Sequence, residues 1–583
     1  MRIDKIRIKG FRNFIDEEIS FAQQTLIIGP NDIGKTNLLY AIRLLLDRSL
    51  SDRDLDLSVS DYNIYTNDKE VQITLYFKDV VEECIVSTFK GCIKDNAFML
   101  RYTKKIATDF ILQCGYSENT LEELPSRHYL RRLNLEYVDS NRNLVQYIKK
   151  SRQELLLIAQ EELEDSLRDH DEVVRGELQE KLNGINTQID QLNYVKKSLN
   201  IVNQELQRMT YNNDQMSVSF SSADTQVDDL LANLEITYSA LQGKMHIGGD
   251  GRNNQVYLAS WVAKQKIEMT KERVTFFAVE EPEAHLHPHQ QRQLSKYLAS
   301  NFLEQIFITT HSAQIASEFL PDRMVSLYKE NNDVHAAQGG CCSKVKMVFD
   351  DFGFRLNAIS AELFFSNGVF LVEGPSEKVF YSAIDKLLGL ELDKQNINVI
   401  DTNGVGFKPY IKVCKALNIP FVMRTDNDIF KIPNKEMHHY AGISRIMGIY
   451  SELLCGEDDI LLDYWRENEK KSKWITDAVE HDEADSIRDY IREKMVSCGI
   501  YLSDVDLETD MVNSCLYNSL SDYYEEIDKE ELIKKMKKRK AENMVLYSKN
   551  CEDKKLSFEK LREDNLLAPI YRLIEYSRRK ING

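Results

Sequence analysis

The segment Gly29-Pro-Asn-Asp-Ile-Gly34-Lys35-Thr36 constrains this chain more than any other stretch. It follows Thr25-Leu-Ile-Ile, a short run with buried-strand character, and leads into Asn37–Asp47 (NLLYAIRLLLD). That second run is apolar almost all round, so it reads as a buried helix. The spacing fits G-x-x-x-x-G-K-[ST], and the strand–loop–helix setting is the one the chemistry requires. Glycine lets backbone N–H groups face phosphate oxygens, and the helix N-terminus adds its positive end. Gly29, Asn31, Gly34, Lys35 and Thr36 are the expected ATP-binding residues of this loop. Lys35 can reach the β- and γ-phosphates, and Thr36 can hold Mg²⁺.

An ATP site of this kind needs a second buried strand ending in acids. Arg273–Val279, followed by Glu280-Glu281-Pro-Glu283, supplies it. Glu280 is expected at the strand tip, holding the metal's water shell, with Glu281 orienting or deprotonating the attacking water. A further apolar strand, Gln305–Thr309, runs into Thr310-His311-Ser312, where His311 can donate a hydrogen bond to the γ-phosphate.

A second α/β rhythm begins at Gly368–Val372 (GVFLV), which ends in Glu373, with Glu377 one helical turn later. The next strand, Ile397–Ile400, leads to Asp401-Thr-Asn-Gly404. The third, Phe421–Arg424, ends in Asp426-Asn-Asp428. Acids at the carboxyl ends of adjacent parallel strands converge on one crevice. Packed carboxylates repel unless a cation joins them, and hard oxygen donors favour Mg²⁺ or Mn²⁺. Two ions about 4 Å apart are expected there, clamping the attacking and leaving oxygens of a phosphodiester.

Length and charge set the frame. The chain has 583 residues, too many for one core of roughly 250–300. Against 93 acidic residues stand 75 Lys and Arg, a net charge of −18, so no global basic field steers DNA. The one strongly basic run, Lys534-Lys-Met-Lys-Lys-Arg-Lys540, reads either as a DNA contact, which is preferred, or as a solvated helix face balancing Asp528–Glu531. No C-x-x-C pair points to a zinc ribbon or redox motif. His285, His287 and His289 read as a polar turn around Pro288 rather than a metal site. The opening MRIDKIRIKGFRNF alternates polar and apolar residues, unlike a signal peptide, and no apolar run approaches a membrane span. A cytoplasmic setting without membrane contact is expected. From Asn141 to Met209 the chain is rich in Glu, Lys, Gln and Leu with apolar residues at helical spacing. It reads as a helical insertion, either a dimerisation arm or a helix packed on its own domain. Beyond Asn434 the chain is expected to be helical and charged to its end.

The GFRNF opening, the phosphate loop, the EEPEAHLHP block and the TTHS segment together resemble the ABC-type ATPase heads of the RecF/SMC/Rad50 group. That resemblance implies a composite ATP site closed by a signature loop from a second head. Ile247–Asn254 is the candidate, although it lacks the usual serine. LVEGPSEK, NGVGFK and TDND resemble a Toprim domain, with Glu373 as its glutamate, Gly404 as its glycine turn and Asp426 and Asp428 as its D-x-D pair. A head followed by a Toprim unit resembles the OLD (overcoming lysogenisation defect) family of nucleases. The second class fits, which includes the nuclease subunit of the Gabija anti-phage system and some retron effectors. The family implies that Asp506, Glu508 and Asp510 complete the metal set of Glu373, Glu377, Asp426 and Asp428. It also implies a lysine, Lys540 with Lys549 in reserve, that stabilises the cleaved phosphate.

The expected fold is therefore α/β: an ABC-type head in two parts, 1–140 and 236–360, a helical insertion at 141–235, and a Toprim domain with helical additions at 361–583. The expected function is an ATP-binding, Mg²⁺- or Mn²⁺-dependent DNA endonuclease of anti-phage defence. Glu373, Asp426, Asp428, Lys540 and Glu281 carry its chemistry. A homodimer or homotetramer is implied, with a UvrD-like helicase or a retron reverse transcriptase and its RNA as partner. The competing reading is a RecF/SMC-like DNA-binding ATPase with a non-catalytic Toprim scaffold.

Overall fold

The computed structural model describes residues 1–67, 69–140, 156, 159–160, 163–198, 200–201, 226–232, 237–240, 243–246, 251, 254–256, 259–261, 272–301, 304–341, 361–402, 406–433, 435–456, 459–475, 481–549 and 559–582. Contacts divide the chain into two units, one of residues 1–140, 271–283 and 288–583, the other of 141–270 and 284–287.

The larger unit opens with an antiparallel six-stranded sheet in the order Phe14–Ser20, Arg2–Phe11, Glu70–Lys78, Phe98–Lys105, Ile111–Gly115 and Glu122–Glu123. Along Arg2–Phe11 the isoleucines at 3, 6 and 8 are buried, while the charged residues between them lie nearer solvent. The second six-stranded sheet runs Asp333–Ala336, Met324–Glu330, Gln24–Ile28, Ile306–Thr309, Val274–Glu280 and Leu133–Val138. It is parallel except for the Asp333–Ala336 edge. Helix Lys35–Leu46 lies in the core these sheets share, burying Leu38, Leu39, Ile42, Leu44, Leu45 and Leu46. Each such side chain contributes about 1.5–3 kcal/mol on burial, which is why an all-round apolar helix belongs there. Cys92 and Cys114 are joined by a disulfide, a pairing their scatter in the sequence did not suggest.

Gln305 ties the sheets together. Its side chain accepts from Ile3 N at 2.7 Å and donates to Ile3 O at 2.8 Å and Ala22 O at 3.0 Å.

The Toprim part is a four-stranded parallel sheet in the order Ile397–Asp401, Gly368–Val372, Phe421–Thr425, Ile500–Leu502. The fourth strand corrects the expectation that everything beyond Asn434 is helical. So do Met437–Tyr440 and Lys473–Ile475: Met437–Tyr440 is the central strand of a small antiparallel sheet, paired with Ile429–Lys431 on one side and Lys473–Ile475 on the other. All three are short, three or four residues, and their apolar pattern is too brief to separate from that of the flanking helices. Helix Ala568–Asn582 packs on Gly368–Val372 so closely that a Cβ at Gly368 would lie 2.9 Å from Leu573. Helix Lys540–Lys549 packs along Pro375–Leu388, with Met544 and Tyr547 in the same core as Phe380, Tyr381 and Ile384.

In the smaller unit the longest element is helix Asp165–Gln191. Leu178, Leu182 and Ile189 are half-buried, while Leu167, Val173 and Ile185 are exposed. Val227 N donates to Gln179 Oε1 at 3.1 Å, and Arg175 pairs with Asp228. Among the described residues, Thr237–Ala240 and Gly243–His246 pair only with each other. This unit therefore runs past residue 235, where the sequence reading ended the insertion. Much of 141–209, the glycine turn at Gly404 and most of the signature candidate 247–254 lie outside the described residues. Among those described, no helix is long and apolar enough to cross a membrane.

Replacing Gln305 with alanine leaves the Ile3 N–H and two carbonyls without their buried partner; stability should fall by about 2–4 kcal/mol, read as the shift in urea midpoint. An unchanged midpoint would show that the sheets do not depend on this side chain.

Candidate functional site

Both parallel sheets gather functional groups at their carboxyl ends. In the head, the central strands Gln24–Ile28, Ile306–Thr309 and Val274–Glu280 end at Gly29, Thr310 and Glu281, side by side. Gly29 and Gly34 take φ of 150° and 111°, and Cβ atoms there would lie 2.7 Å from Leu327 O and 2.0 Å from Asn13 Nδ2. Only glycine fits either position. Asn13 donates to Ile33 O, and Asn37 bridges Arg12 and Asn13 at 2.7 Å each. The GFRNF segment thus braces the phosphate loop. Asn31 is exposed on that loop.

Lys35 is buried and folds back on its own loop, donating to Gly29 O at 3.0 Å and Pro30 O at 2.8 Å. Burial lowers its pKa to about 8, against the pull of Glu281 and Asp32. Glu280 is buried, which raises its pKa, and is hydrogen-bonded to Tyr137 and Thr36. Its contact with Thr36 joins the two residues expected to share a metal. Glu281 lies at φ 42°, with Oε1 3.5 Å from His311 Nε2. Burial and then Lys35 hold the His311 pKa below its ordinary value. Glu283 is the residue whose role the sequence did not disclose. Its Oε1 accepts from Thr310 Oγ1 at 2.6 Å and His311 N at 2.8 Å, fixing the histidine's backbone.

In the Toprim sheet, Glu373 and Asp426 follow adjacent strands, and Asp506 lies shortly after the fourth. Glu373 Oε2 accepts from Thr425 Oγ1 at 2.9 Å, Asp426 N at 3.1 Å and Arg445 Nη1 at 2.8 Å. Asp426 is 7 % exposed. Burial, then the neighbouring Glu377, raises its pKa to about 8. Burial also raises the pKa of Asp428, with Glu373 adding to it and Lys540 and Arg445 opposing. Glu377 caps its own helix, accepting from Gly374 N at 3.1 Å, and its pKa too is raised by burial.

Asp506 caps helix Leu507–Asn513 through Thr509 N and pairs with Lys537 at 2.5 Å. Burial pushes its pKa up, but the Lys537 and Thr509 hydrogen bonds outweigh that and leave it lowered. Glu508 is 1 % exposed; its Oε1 has no hydrogen-bond partner among the described residues, and its Oε2 faces Lys540 Nζ at 3.0 Å. Lys540 Nζ also lies 3.8 Å from Asp426 and 4.0 Å from Asp506. Burial lowers its pKa, but those acids win and raise it. Lys549, at the far end of the same helix, is exposed.

Two expectations change here. Asp510 does not join the others: it is held by buried Arg424 and by Asp504 N at 3.0 Å. The basic run is not wholly free: five of its six charges have acidic partners, and Lys538 is exposed. Lys534, Lys535, Lys537, Arg539 and Lys540 pair with Glu531, Glu526, Asp506, Glu542 and Glu508. Helical spacing within this run puts alternate charges against different acids, which a charge count does not reveal. Arg445 was missed because it sits mid-helix, in Ala441–Leu453, with no motif around it.

Among the described residues, no three His, Cys, Asp or Glu side chains are arranged to hold a metal ion. The Lys540 ammonium stands among the acids, and Arg445 takes the Glu373 oxygen. Oxygen-only donors, a buried Glu508 oxygen without a partner and a buried aspartate pushed toward its neutral form are the features of a set that a hard divalent cation would complete.

Comparisons with known proteins agree with this division. The AAA ATPase domain family matches residues 1–316, and the TOPRIM domain of overcoming lysogenization defect protein-like sequences matches 364–428. Endonuclease GajA of Bacillus cereus (strain VD045) is 26% identical, with 95% of this chain and 97% of its own covered. The OLD nuclease of Thermus scotoductus (strain ATCC 700910 / SA-01) is 24% identical over 74% of this chain and 83% of its own. The Old nuclease of Escherichia phage P2 is 23% identical over 70% and 73%. With a glycine-braced phosphate loop at one sheet's end and clustered acids at the other's, the chain belongs to the AAA ATPase domain family and carries an OLD-like TOPRIM domain.

Proposed function

We propose that this protein is an ATP-binding, divalent-metal-dependent DNA endonuclease acting in anti-phage defence. The observation that carries the reading is the cluster of Asp426, Asp506 and Glu508 around the Lys540 ammonium, with Glu373 held beside it by Asp426 N. Similarity to GajA and the OLD nucleases along most of the chain supports it.

Glu373, Glu377, Asp426, Asp428, Asp506 and Glu508 are the residues that would hold Mg²⁺ or Mn²⁺, which supply Lewis-acid activation of water and of the phosphodiester when bound. Arg445 and Thr425 set the direction of the Glu373 carboxylate. Lys537 keeps Asp506 ionised. Lys540 lies within 4.0 Å of three of these acids, Asp426, Asp506 and Glu508, and its ammonium is placed to neutralise charge on a cleaved phosphate. In the head, Gly29, Asn31, Gly34, Lys35, Thr36, Glu280 and His311 would hold ATP and its Mg²⁺. Lys35 would exchange its loop carbonyls for phosphate oxygens, while Glu283 keeps His311 at the γ-phosphate position. Glu281, beside His311, would position water. The head regulates the nuclease, and head-to-head pairing in a homodimer or homotetramer completes the ATP site.

Purified protein should nick or cut plasmid DNA with Mg²⁺ or Mn²⁺. Glu373→Ala and Asp426→Ala should each lower the rate at least about a hundredfold, as loss of a directly acting group does. Lys35→Ala should abolish ATP binding and any response of cutting to ATP while leaving the metal site intact. Cutting that survives both acid substitutions, or a null result with every divalent ion tried, would overturn the reading.

Lys540→Met gives a separate check. Without its ammonium the acids repel, so Tm in chelator should fall by several degrees. Mn²⁺ should then bind more tightly than to the unaltered protein by calorimetry, although cutting is lost. Equal Mn²⁺ affinity in the two proteins would show that Lys540 does not stand in the cation's place.

A further inference from the structure

Immediately after Asp428 the chain forms Ile429–Lys431, an edge strand exposed along its whole length. Ile429 is 43% and Phe430 52% exposed. An exposed apolar edge is a feature that folded proteins normally cover or blunt. It is anchored on one side by backbone pairing. The strand pairs with Met437–Tyr440, and Asp428 O accepts from Ala441 N at 2.8 Å, so the ladder continues into the acidic segment. Behind it the Tyr440 ring lies 4.8 Å from Trp474, which stacks on His481 at 4.7 Å. Arg488 lies over Tyr440 and donates to its hydroxyl at 3.0 Å. Gly442 lets the following helix close on the acids: a Cβ there would lie 2.5 Å from Asp426 O.

Phe430 is two residues from Asp428. At about 3.3 Å per residue their Cα atoms are separated by no more than about 7 Å. Successive bases on one DNA strand are about 3.4 Å apart along the axis. A phosphodiester that reaches these acids therefore brings its neighbouring bases beside Phe430. Lys431 and Lys435 are exposed on the same hairpin, with Glu436 the adjoining acid.

We infer that the Ile429–Lys431 strand is a DNA contact of the nuclease centre, with Phe430 stacking on a base next to the scissile phosphate and Lys431 and Lys435 meeting the backbone. The inference rests on the nuclease reading and deepens it. DNA is favoured over a second protein copy on two grounds. The exposed large apolar side chains of this three-stranded sheet are Ile429, Phe430 and Ile475, far short of the ~800 Å² per partner of a stable interface. The cations beside it complement a polyanion.

The test uses the full chain with Ca²⁺ in place of Mg²⁺, so that DNA binds without being cut. The wild-type cut position is first mapped on a plasmid. A duplex is then made with 2-aminopurine on either side of that position. Phe430→Ala should bind this duplex about tenfold more weakly, the effect of losing one stacked base, and should lose the fluorescence rise that marks unstacking. Phe430→Trp should retain both, and Mn²⁺ affinity should be equal in all three proteins, showing an intact centre. If wild type cuts DNA but Phe430→Ala binds and unstacks equally well, the strand's role is overturned and the nuclease reading stands. If Phe430→Asp changes only the mass by light scattering, the strand is a copy-to-copy interface and the inference fails. Wild type that neither binds nor cuts DNA overturns both.

Discussion

Mutual repulsion among buried carboxylates governs the C-terminal half of this protein. Parallel strands deliver Glu373 and Asp426 to one edge of a sheet, and a helix beyond the fourth strand delivers Asp506 and Glu508 to the same place. Such a nest folds only if cations are built into it. Lys540 and Lys537 come from helices packed on Pro375–Leu388 and Leu507–Asn513, and Arg445 comes from the helix that Gly442 allows to close down. The surrounding helices are thus the counter-charge of the sheet as well as its cover.

The head solves a related problem with the opposite sign of shift. Lys35 is buried, with no ion pair to a carboxylate among the described residues, and is hydrogen-bonded to carbonyls, so its pKa falls; Lys540 is ringed by acids and its pKa rises. One lysine is poised to accept an anionic ligand from outside. The other is already engaged by anions belonging to the fold.

Much of this was legible beforehand because it is local. The phosphate loop, the acidic strand tips and the three Toprim strands each occupy a few consecutive residues with a characteristic period, and the strand and helix boundaries fall within a residue or two of those read from Thr25–Gly29, Asn37–Asp47 and Gly368–Val372. What was not legible depends on tertiary pairing. Arg445 has no motif around it, and its importance comes only from facing Glu373. Asp510 follows Glu508 by two residues, yet Arg424 turns it to a different partner. The run Lys534–Lys540 reads as a row of free charges, and only the tertiary structure shows which acids most of them face. Ile500–Leu502 is too short to announce itself, although it completes the sheet.

Lys540 stands 114 positions after Asp426, the difference of their numbers in the chain, and it is the ammonium that sits among the acids. During synthesis the head and the first strand tips leave the ribosome well before that lysine does. Under the nuclease reading, a nascent or truncated chain lacking the last helices has its acids but no assembled centre. In chain order, the counter-charge at position 540 arrives after every acid it neutralises.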